Sequence, residues 1–329
     1  MNKIEEFILK SIRKLYLLVF HRECKTSLVE NDPDIASEMI YDLLSADKPC
    51  MVARYGGFEL STVVNYLGVK NRKPSILKYI LGKQQQWWWN KNLMQSMQNN
   101  AGFFPPTEEK LSQFCEMMLR DSKEVDLIGS WLEDENIILK ERETIKKVKL
   151  VYLEPYWSKK PWSRVLEGKK VLVVHPFSDD IIAQYNNHRE QLFENKSVLP
   201  KFASLRVVKA VQSLGGDSHG FKDWFEALEW MKQEMDKEPY DIALIGCGAY
   251  GFPLAAHSKR TGHKAIHLGG ALQLLFGIRG KRWEDPNYGV KVWGLPYGFY
   301  INLMNDYWVR PGSDLKPLKA QDVEGACYW

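Results

Sequence analysis

Short apolar runs and amphipathic stretches alternate along almost the whole chain. Runs at residues 49–54, 125–128, 148–153, 170–174, 203–208, 242–245 and 264–268 have strand length and read as strands. The run Ile242–Ile245 is apolar at every position, the pattern of a parallel strand covered on both faces. Between the runs lie helical stretches. Residues 3–20 set Ile4, Phe7, Ile8, Ile12, Leu15, Tyr16 and Val19 on one stripe, flanked by Lys3, Lys10, Arg13 and Lys14. Asp32 and Pro33 start the next helix as N-cap and first-turn proline. Further helices run from the glycines at 56 and 57 to about Leu67, from a Thr107 cap to about Arg120, from a Ser178 cap, and over residues 221–237. Residues 72–104 follow no period and hold Trp87, Trp88, Trp89, Phe103 and Phe104. The alternation predicts one doubly wound α/β domain over residues 31–329, with a mostly parallel sheet, preceded by a helical extension over residues 1–30.

Composition narrows the partners. The chain has 329 residues, 45% of them hydrophobic, and a formal net charge of +4. That charge is too mild to point to nucleic acid, which calls for a strongly basic face. The five cysteines, at 24, 50, 115, 247 and 327, show no metal spacing and read as reduced thiols of a cytoplasmic protein. No run reaches the ~18 apolar residues of a membrane span, and the N-terminus lacks the cleavage site of a signal peptide. The basic amphipathic stretch at 3–20 either lies on an anionic membrane, at the inner face of the plasma membrane, or packs its stripe on the protein's own core or on a second subunit of a homo-oligomer.

Candidate chemistry gathers where strands end. After the run at 242–245 come Gly246, Gly248 and Gly251 in a G-x-G-x-x-G pattern, with Tyr250 inside it, then a small-residue helix over about 253–259 and a second strand. A glycine turn between strand and helix turns backbone N–H groups toward an anion. A dinucleotide site also wants an acid about 20 residues further on. That region reads His267, Leu268, Gly269, Gly270, Ala271, with no acid, which weighs against NAD. A short apolar helix over 271–276, containing Gln273, leads instead to Arg279, Lys281, Arg282 and Trp283. Two glycine turns and three cations suit a diphosphate; the other reading is tight βα turns beside a solvated basic loop.

Arg54 and Glu59 bracket a second glycine turn, Gly56 and Gly57, after the first strand. An arginine at a strand end holds phosphate in a fork, and a glutamate there serves as base, metal ligand or sugar-hydroxyl acceptor. The alternative is an ion pair that fixes the turn. His175 ends a further strand, followed by Asp179, Asp180 and Gln184 on a helix; it is a proton carrier or a hydrogen-bonded structural histidine. Asp32 and Asp34 form a D-x-D spacing, for which capping is the favoured role, and Glu133, Asp134 and Glu135 read as a solvated helix start.

Several of these stretches together, ARYGGFEL, HPF with Gln184 beyond it, DIALIGCGAYGFPLAA, GGALQLLFGIRGKRW and the ending WVRP…EGACYW, resemble the GT-D-type glycosyltransferases over roughly residues 49–329. The resemblance implies a Rossmann-like, GT-D-like enzyme. It would take a nucleotide-sugar donor, UDP-sugar favoured, and extend a glycan or lipid-linked acceptor in bacterial polysaccharide biosynthesis. The family pattern at the first motif is R-F-G-D-G-E, whose D-x-E acids are linked to a metal. Here Arg54 and Glu59 match while Gly57 takes the Asp position, so Mn²⁺ or Mg²⁺ would rest on Glu59 with phosphate or be dispensable. A nucleotide-dependent oxidoreductase or methyltransferase, and a non-catalytic glycan-assembly subunit, are the competing readings.

Overall fold

The computed structural model describes residues 3–20, 29–140, 145–312 and 327–329. Seven strands form one sheet: β1 (Cys50–Ala53), β2 (Leu127–Ser130), β3 (Lys146–Lys149), β4 (Lys170–His175), β5 (Ser204–Lys209), β6 (Ile242–Ile245) and β7 (Lys264–His267). Their order is β3-β2-β1-β7-β6-β4-β5, and every pairing is parallel. This is the Rossmann-like α/β arrangement that the alternation predicts.

The continuous apolar runs follow from cover on both faces. Met51, Ala53, Leu172, Val174, Ala243 and Ile245 point into one core; Cys50, Val52, Val171, Val173, Ile242 and Leu244 point into the other. Helices Gly57–Val69, Glu108–Asp121, Trp224–Asp236 and Gly251–Arg260 cover the first face. The second face meets helices Pro33–Ser45 and Ser178–His188 and a group of large aromatics that includes Trp162, Trp283, Tyr300 and Trp308.

The topology sets the functional edge. From β6 the chain passes to β7, toward β1, whereas from β4 it passes to β5, away from β6. Neighbouring strands whose connections leave in opposite directions open a crevice at their C-terminal ends, where ligands of such sheets bind.

Local differences from the pattern have visible causes. The apolar run at 148–153 leaves the sheet at Lys149 and continues as a 3₁₀ turn, Leu150–Leu153, whose last carbonyl accepts from Trp162 Nε1 at 2.9 Å. Residues 72–104 contain two helices, Ile76–Ile80 and Lys91–Asn99, capped by Ser75 and Asn90. Ser178 is the first helical residue rather than the cap, and the N–H two residues after His175, that of Phe177, bonds to His175 Nδ1 at 3.0 Å. Glu135 is not solvated. It is buried and accepts from Trp131 N at 3.0 Å, Leu132 N at 3.1 Å and Ser130 Oγ, closing the turn after β2. Asp32 caps its helix as expected, accepting from the Asp34 and Ile35 N–H groups, while Asp34 accepts from Ser158 Oγ and Lys159 N.

The helix Lys3–Val19 docks through its cations, not its apolar stripe. Arg13 lies 4.5 Å from the Tyr79 ring and donates to the Gln84 carbonyl at 2.9 Å, and Lys10 sits over Trp88. Ile4, Phe7, Leu15 and Val19 are left 65–72% exposed. No helix among the described residues is long and apolar enough to cross a membrane. Cys50, Cys115, Cys247 and Cys327 are buried free thiols; Cys24 lies outside the described residues.

Candidate functional site

The turns after β1, β4, β6 and β7 line one cavity of about 890 Å³ at the C-terminal edge of the sheet. The Arg54–Glu59 turn and the Gly246, Gly248, Gly251 turn therefore share a cleft, because parallel strands bring their C-terminal ends together. Register makes this close: Val174 pairs with Ile245, and Ile245 with His267, so three strands stop nearly level.

Arg54 is half-buried at the end of β1. Its guanidinium lies 5.2 Å from the Trp131 ring, and a Cβ on Gly269, in the turn after β7, would stand 3.5 Å from its Nη1. Among the described residues Arg54 makes no ion pair, and none with Glu59, so the turn-fixing pair is absent. Trp131 is held in place twice: its indole donates to the Tyr55 carbonyl at 3.0 Å and its N–H bonds to buried Glu135. The same ring lies 3.5 Å from where a Cβ on Gly57 would be. The position that carries an acid in the family pattern is thus a glycine roofed by an indole. Sequence periodicity does not reveal Trp131, which follows a strand in an unremarkable loop.

Glu59 is the third residue of the helix Gly57–Val69, 9% exposed, with Gly56 as N-cap. Its carboxylate folds back over Gly56 at the positive end of the helix.

The glycine pattern after β6 divides into packing and exposure. Gly246 has no room for a side chain, since a Cβ there would fall 2.6 Å from the Gly269 carbonyl; this close approach locks the β6 and β7 turns together. Gly248 has φ +58 and faces more open space, with the nearest atom 3.8 Å away, so its backbone is the part of the pattern free to meet a ligand. Gly251 opens its helix against the His267 ring. Tyr250 lines the cavity but is 2% exposed; its ring stacks on Trp224 and its hydroxyl meets Ser213 Oγ at 2.8 Å, which makes it a core residue.

His175 and His267 are buried, and burial pushes both imidazoles down to about 3, with Arg54 adding to the effect on His267. Neutral His175 uses Nδ1 to accept from the backbone, the hydrogen-bonded structural role rather than that of a proton carrier near neutral pH.

The C-terminal motifs split between the cavity and its scaffold. Gly269, Gly270, Gln273, Arg282 and Trp283 line the cavity. Gln273 Nε2 donates to the Arg279 carbonyl at 2.9 Å and the Tyr328 carbonyl at 3.2 Å, so it ties the turn to the chain end; its Oε1 is buried with no partner among the described residues. Arg282 lies 4.5 Å from the Tyr328 ring and also faces Trp283 and Tyr288. Arg279 and Lys281 do not line the cavity: the Arg279 guanidinium donates to the Asn305 carbonyl at 2.8 Å and Lys281 is exposed. Asp179, Asp180 and Gln184 also stand outside the lining. Asp180 accepts from Gly312 N, and Gln184 braces the Gly277 and Tyr307 carbonyls. Helical phase turned Gln184 into the scaffold and left Asp179 exposed. The expected docking of the tail holds for Cys327, Tyr328 and Trp329, which line the cavity; Glu324, Gly325 and Ala326 of that motif lie outside the described residues.

Glu154 is a cavity residue without a sequence signal. It follows the 3₁₀ turn after β3, and its Oε2 accepts from Trp157 Nε1 at 2.9 Å and Tyr300 Oη at 2.8 Å. Burial pushes its carboxyl up to about 7 against these donors.

No group of three or more His, Cys, Asp or Glu side chains among the described residues is arranged to hold a metal ion. At the first motif, among the described residues, Glu59 is the carboxylate a divalent cation would meet, with an indole where the family pattern has its second acid. The donor set among the described residues does not fit a dedicated metal centre. No family model matches the chain, and neither does any curated protein or solved structure.

Proposed function

We propose that the protein is a glycosyltransferase that moves a sugar from a nucleotide-sugar donor, UDP-sugar favoured, to a glycan or lipid-linked acceptor. The observation that carries this reading is the convergence of the turns after β1, β4, β6 and β7 on one cavity of about 890 Å³ that holds Arg54 and Arg282. That volume lies in the upper range of small-molecule sites, about 300–1,000 Å³, and suits a ligand the size of a nucleotide sugar.

In this reading the Gly248 backbone and Arg54 hold the diphosphate, and Arg282 approaches it from the C-terminal side. Departure of the nucleoside diphosphate concentrates negative charge on its terminal phosphate. Fixed cations in a partly dry cleft stabilise that charge without reorganising. Glu59, already oriented by the helix end, accepts hydrogen bonds from donor-sugar hydroxyls. The aromatic rings around Arg282 limit water, which would otherwise compete as acceptor.

The lipid-linked form of the acceptor is supported by the outward apolar stripe of Lys3–Val19, which suits contact with a membrane surface. With Lys10 and Arg13 of that helix turned onto protein aromatics, apolar burial rather than charge would supply most of the attraction.

A thermal-shift panel tests the function. UDP, GDP and their sugars should raise Tm, with UDP-sugars strongest, while NAD and S-adenosylmethionine leave it unchanged. A shift by NAD or S-adenosylmethionine alone would replace this reading with the oxidoreductase or methyltransferase one. No shift by any nucleotide would favour the glycan-assembly subunit.

A further inference from the structure

The cavity has a second carboxylate whose setting differs from that of Glu59. Glu59 sits at a helix N-terminus beside glycines. Glu154 sits among rings. Trp157, which donates to it, stacks on Phe299 with centroids 3.7 Å apart, and Tyr300, its other donor, packs against Tyr288 at 5.7 Å. Tyr288 in turn meets Trp293 edge-on at 5.3 Å, and both Tyr288 and Trp293 line the cavity beside Val292, which is 79% exposed. An aromatic wall thus runs from the open rim to the carboxylate.

Both hydrogen bonds to Glu154 reach the same oxygen, Oε2. Oε1 accepts none of the protein hydrogen bonds made to this residue, and it is not sealed off as a buried unpartnered atom. One oxygen anchors the group and the other is open. Among the described residues no cation acts to hold the carboxylate ionised; desolvation outweighs the hydrogen bonds from Trp157 and Tyr300, and the groups facing it are the tyrosines 156, 288 and 300. Its affinity for a proton therefore falls close to neutral pH, the range in which one carboxylate both takes and releases a proton readily.

We propose that Glu154 is the general base for the acceptor, and that the Tyr288–Trp293 wall seats a saccharide acceptor beside it. This deepens the glycosyltransferase reading and rests on it. A pyranose offers an apolar C–H face to an aromatic ring and its hydroxyls at the edge, so a sugar against Tyr288 and Trp293 directs a hydroxyl along the wall toward Oε1. In the step, the acceptor O–H proton passes to Oε1. The acceptor oxygen forms the new bond to the anomeric carbon as the bond from that carbon to the phosphate oxygen breaks. The electron pair leaves with the nucleoside diphosphate, on the side held by Arg54. Glu154 then releases the proton to water. A base that activates the acceptor in one displacement inverts the anomeric centre.

The test compares wild type, Glu154→Gln and Glu154→Asp, with UDP-glucose, UDP-galactose and UDP-N-acetylglucosamine as donors and p-nitrophenyl glycosides as acceptors. UDP binding is followed by calorimetry and folding by Tm. Glu154→Gln keeps an acceptor for Trp157 and Tyr300 and removes the basic oxygen. The expected result is a kcat lower by about 100-fold or more, with UDP affinity and Tm close to wild type. Wild-type kcat should rise with pH through about 7, Glu154→Gln should lack that limb, Glu154→Asp should recover part of the rate, and the product should be inverted. A Gln variant with wild-type kcat, a retained anomeric configuration, or equal loss of UDP binding and Tm would each overturn the assignment. A wild-type protein that binds no UDP and transfers no sugar would instead remove the glycosyltransferase reading, and Glu154's role with it.

Discussion

Glu59 occupies the space a side chain at Gly56 would need: a Cβ built on Gly56 falls 1.9 Å from Glu59 Oε2. The glycine and the glutamate are therefore one device, in which the absent side chain lets the carboxylate fold back over the helix start and face the cleft. Glu59→Gln should lower kcat/KM for a UDP-sugar by about 10- to 100-fold, the worth of a charged hydrogen bond of ~1.5–3 kcal/mol, with Tm near wild type. Gly56→Ala leaves the charge and moves it, because the clashing atoms are the far end of a flexible side chain, and should show a similar kinetic loss. Steady-state kinetics with melting curves check both; wild-type turnover in Glu59→Gln would make Glu59 a turn residue only.

Activity should withstand EDTA. A single carboxylate under an indole roof, with the Arg54 cation at the same strand end, is a poor site for a divalent ion, since like charges in a partly dry cleft repel strongly. Transfer from a UDP-sugar is to be measured before chelation, after it, and with Mn²⁺ restored. Complete loss followed by complete recovery would show that Glu59 and phosphate suffice as ligands.

Acid should destabilise the fold through its two buried histidines. Their imidazoles are held near 3, below the ordinary value of about 6.5. The unfolded chain therefore binds more protons between those values, so stability is fully present above about 6.5 and falls as pH drops toward 3. Each histidine adds up to about 1.4 kcal/mol per pH unit to that slope. Glu154, whose carboxyl is raised, acts in the opposite sense between about 4.5 and 7. Urea unfolding of wild type and His175→Asn from pH 7.5 to 4.5 separates the effects: the variant keeps an acceptor for the Phe177 N–H and should lose about one proton's worth of slope.

The helix Lys3–Val19 should carry the protein to lipid. Full-length protein is expected to float with vesicles of phosphatidylglycerol and phosphatidylethanolamine, and protein lacking residues 1–20 to stay behind. Because Lys10 and Arg13 are engaged on Trp88 and Tyr79, raising salt should weaken flotation only modestly. Equal behaviour of the two proteins would remove the membrane role, and concentration-dependent pairing of the full-length chain would assign the stripe to a second copy.

What the sequence alone determined is the local order of the chain: the strands, most helix starts and the turns at strand ends, because these follow from short-range pattern, capping and glycine. Parallel alternation even placed the Arg54 and Gly248 turns on one edge. Tertiary structure decided the rest. Trp131 enters the cleft because buried Glu135 closes the turn behind it, and Glu154 acquires its character from Trp157 and Tyr300, which no spacing connects to it. Arg279 and Gln184 look like ligand residues in a motif, but Arg279 Nη2 donates to the Asn305 carbonyl and Gln184 Nε2 to the Gly277 and Tyr307 carbonyls, all in distant loops. The stripe of residues 3–20 was legible, yet its direction was not. Which face of a helix is covered depends on what lies beneath it, and here Tyr79 and Trp88 offered rings to cations and left the apolar side outward.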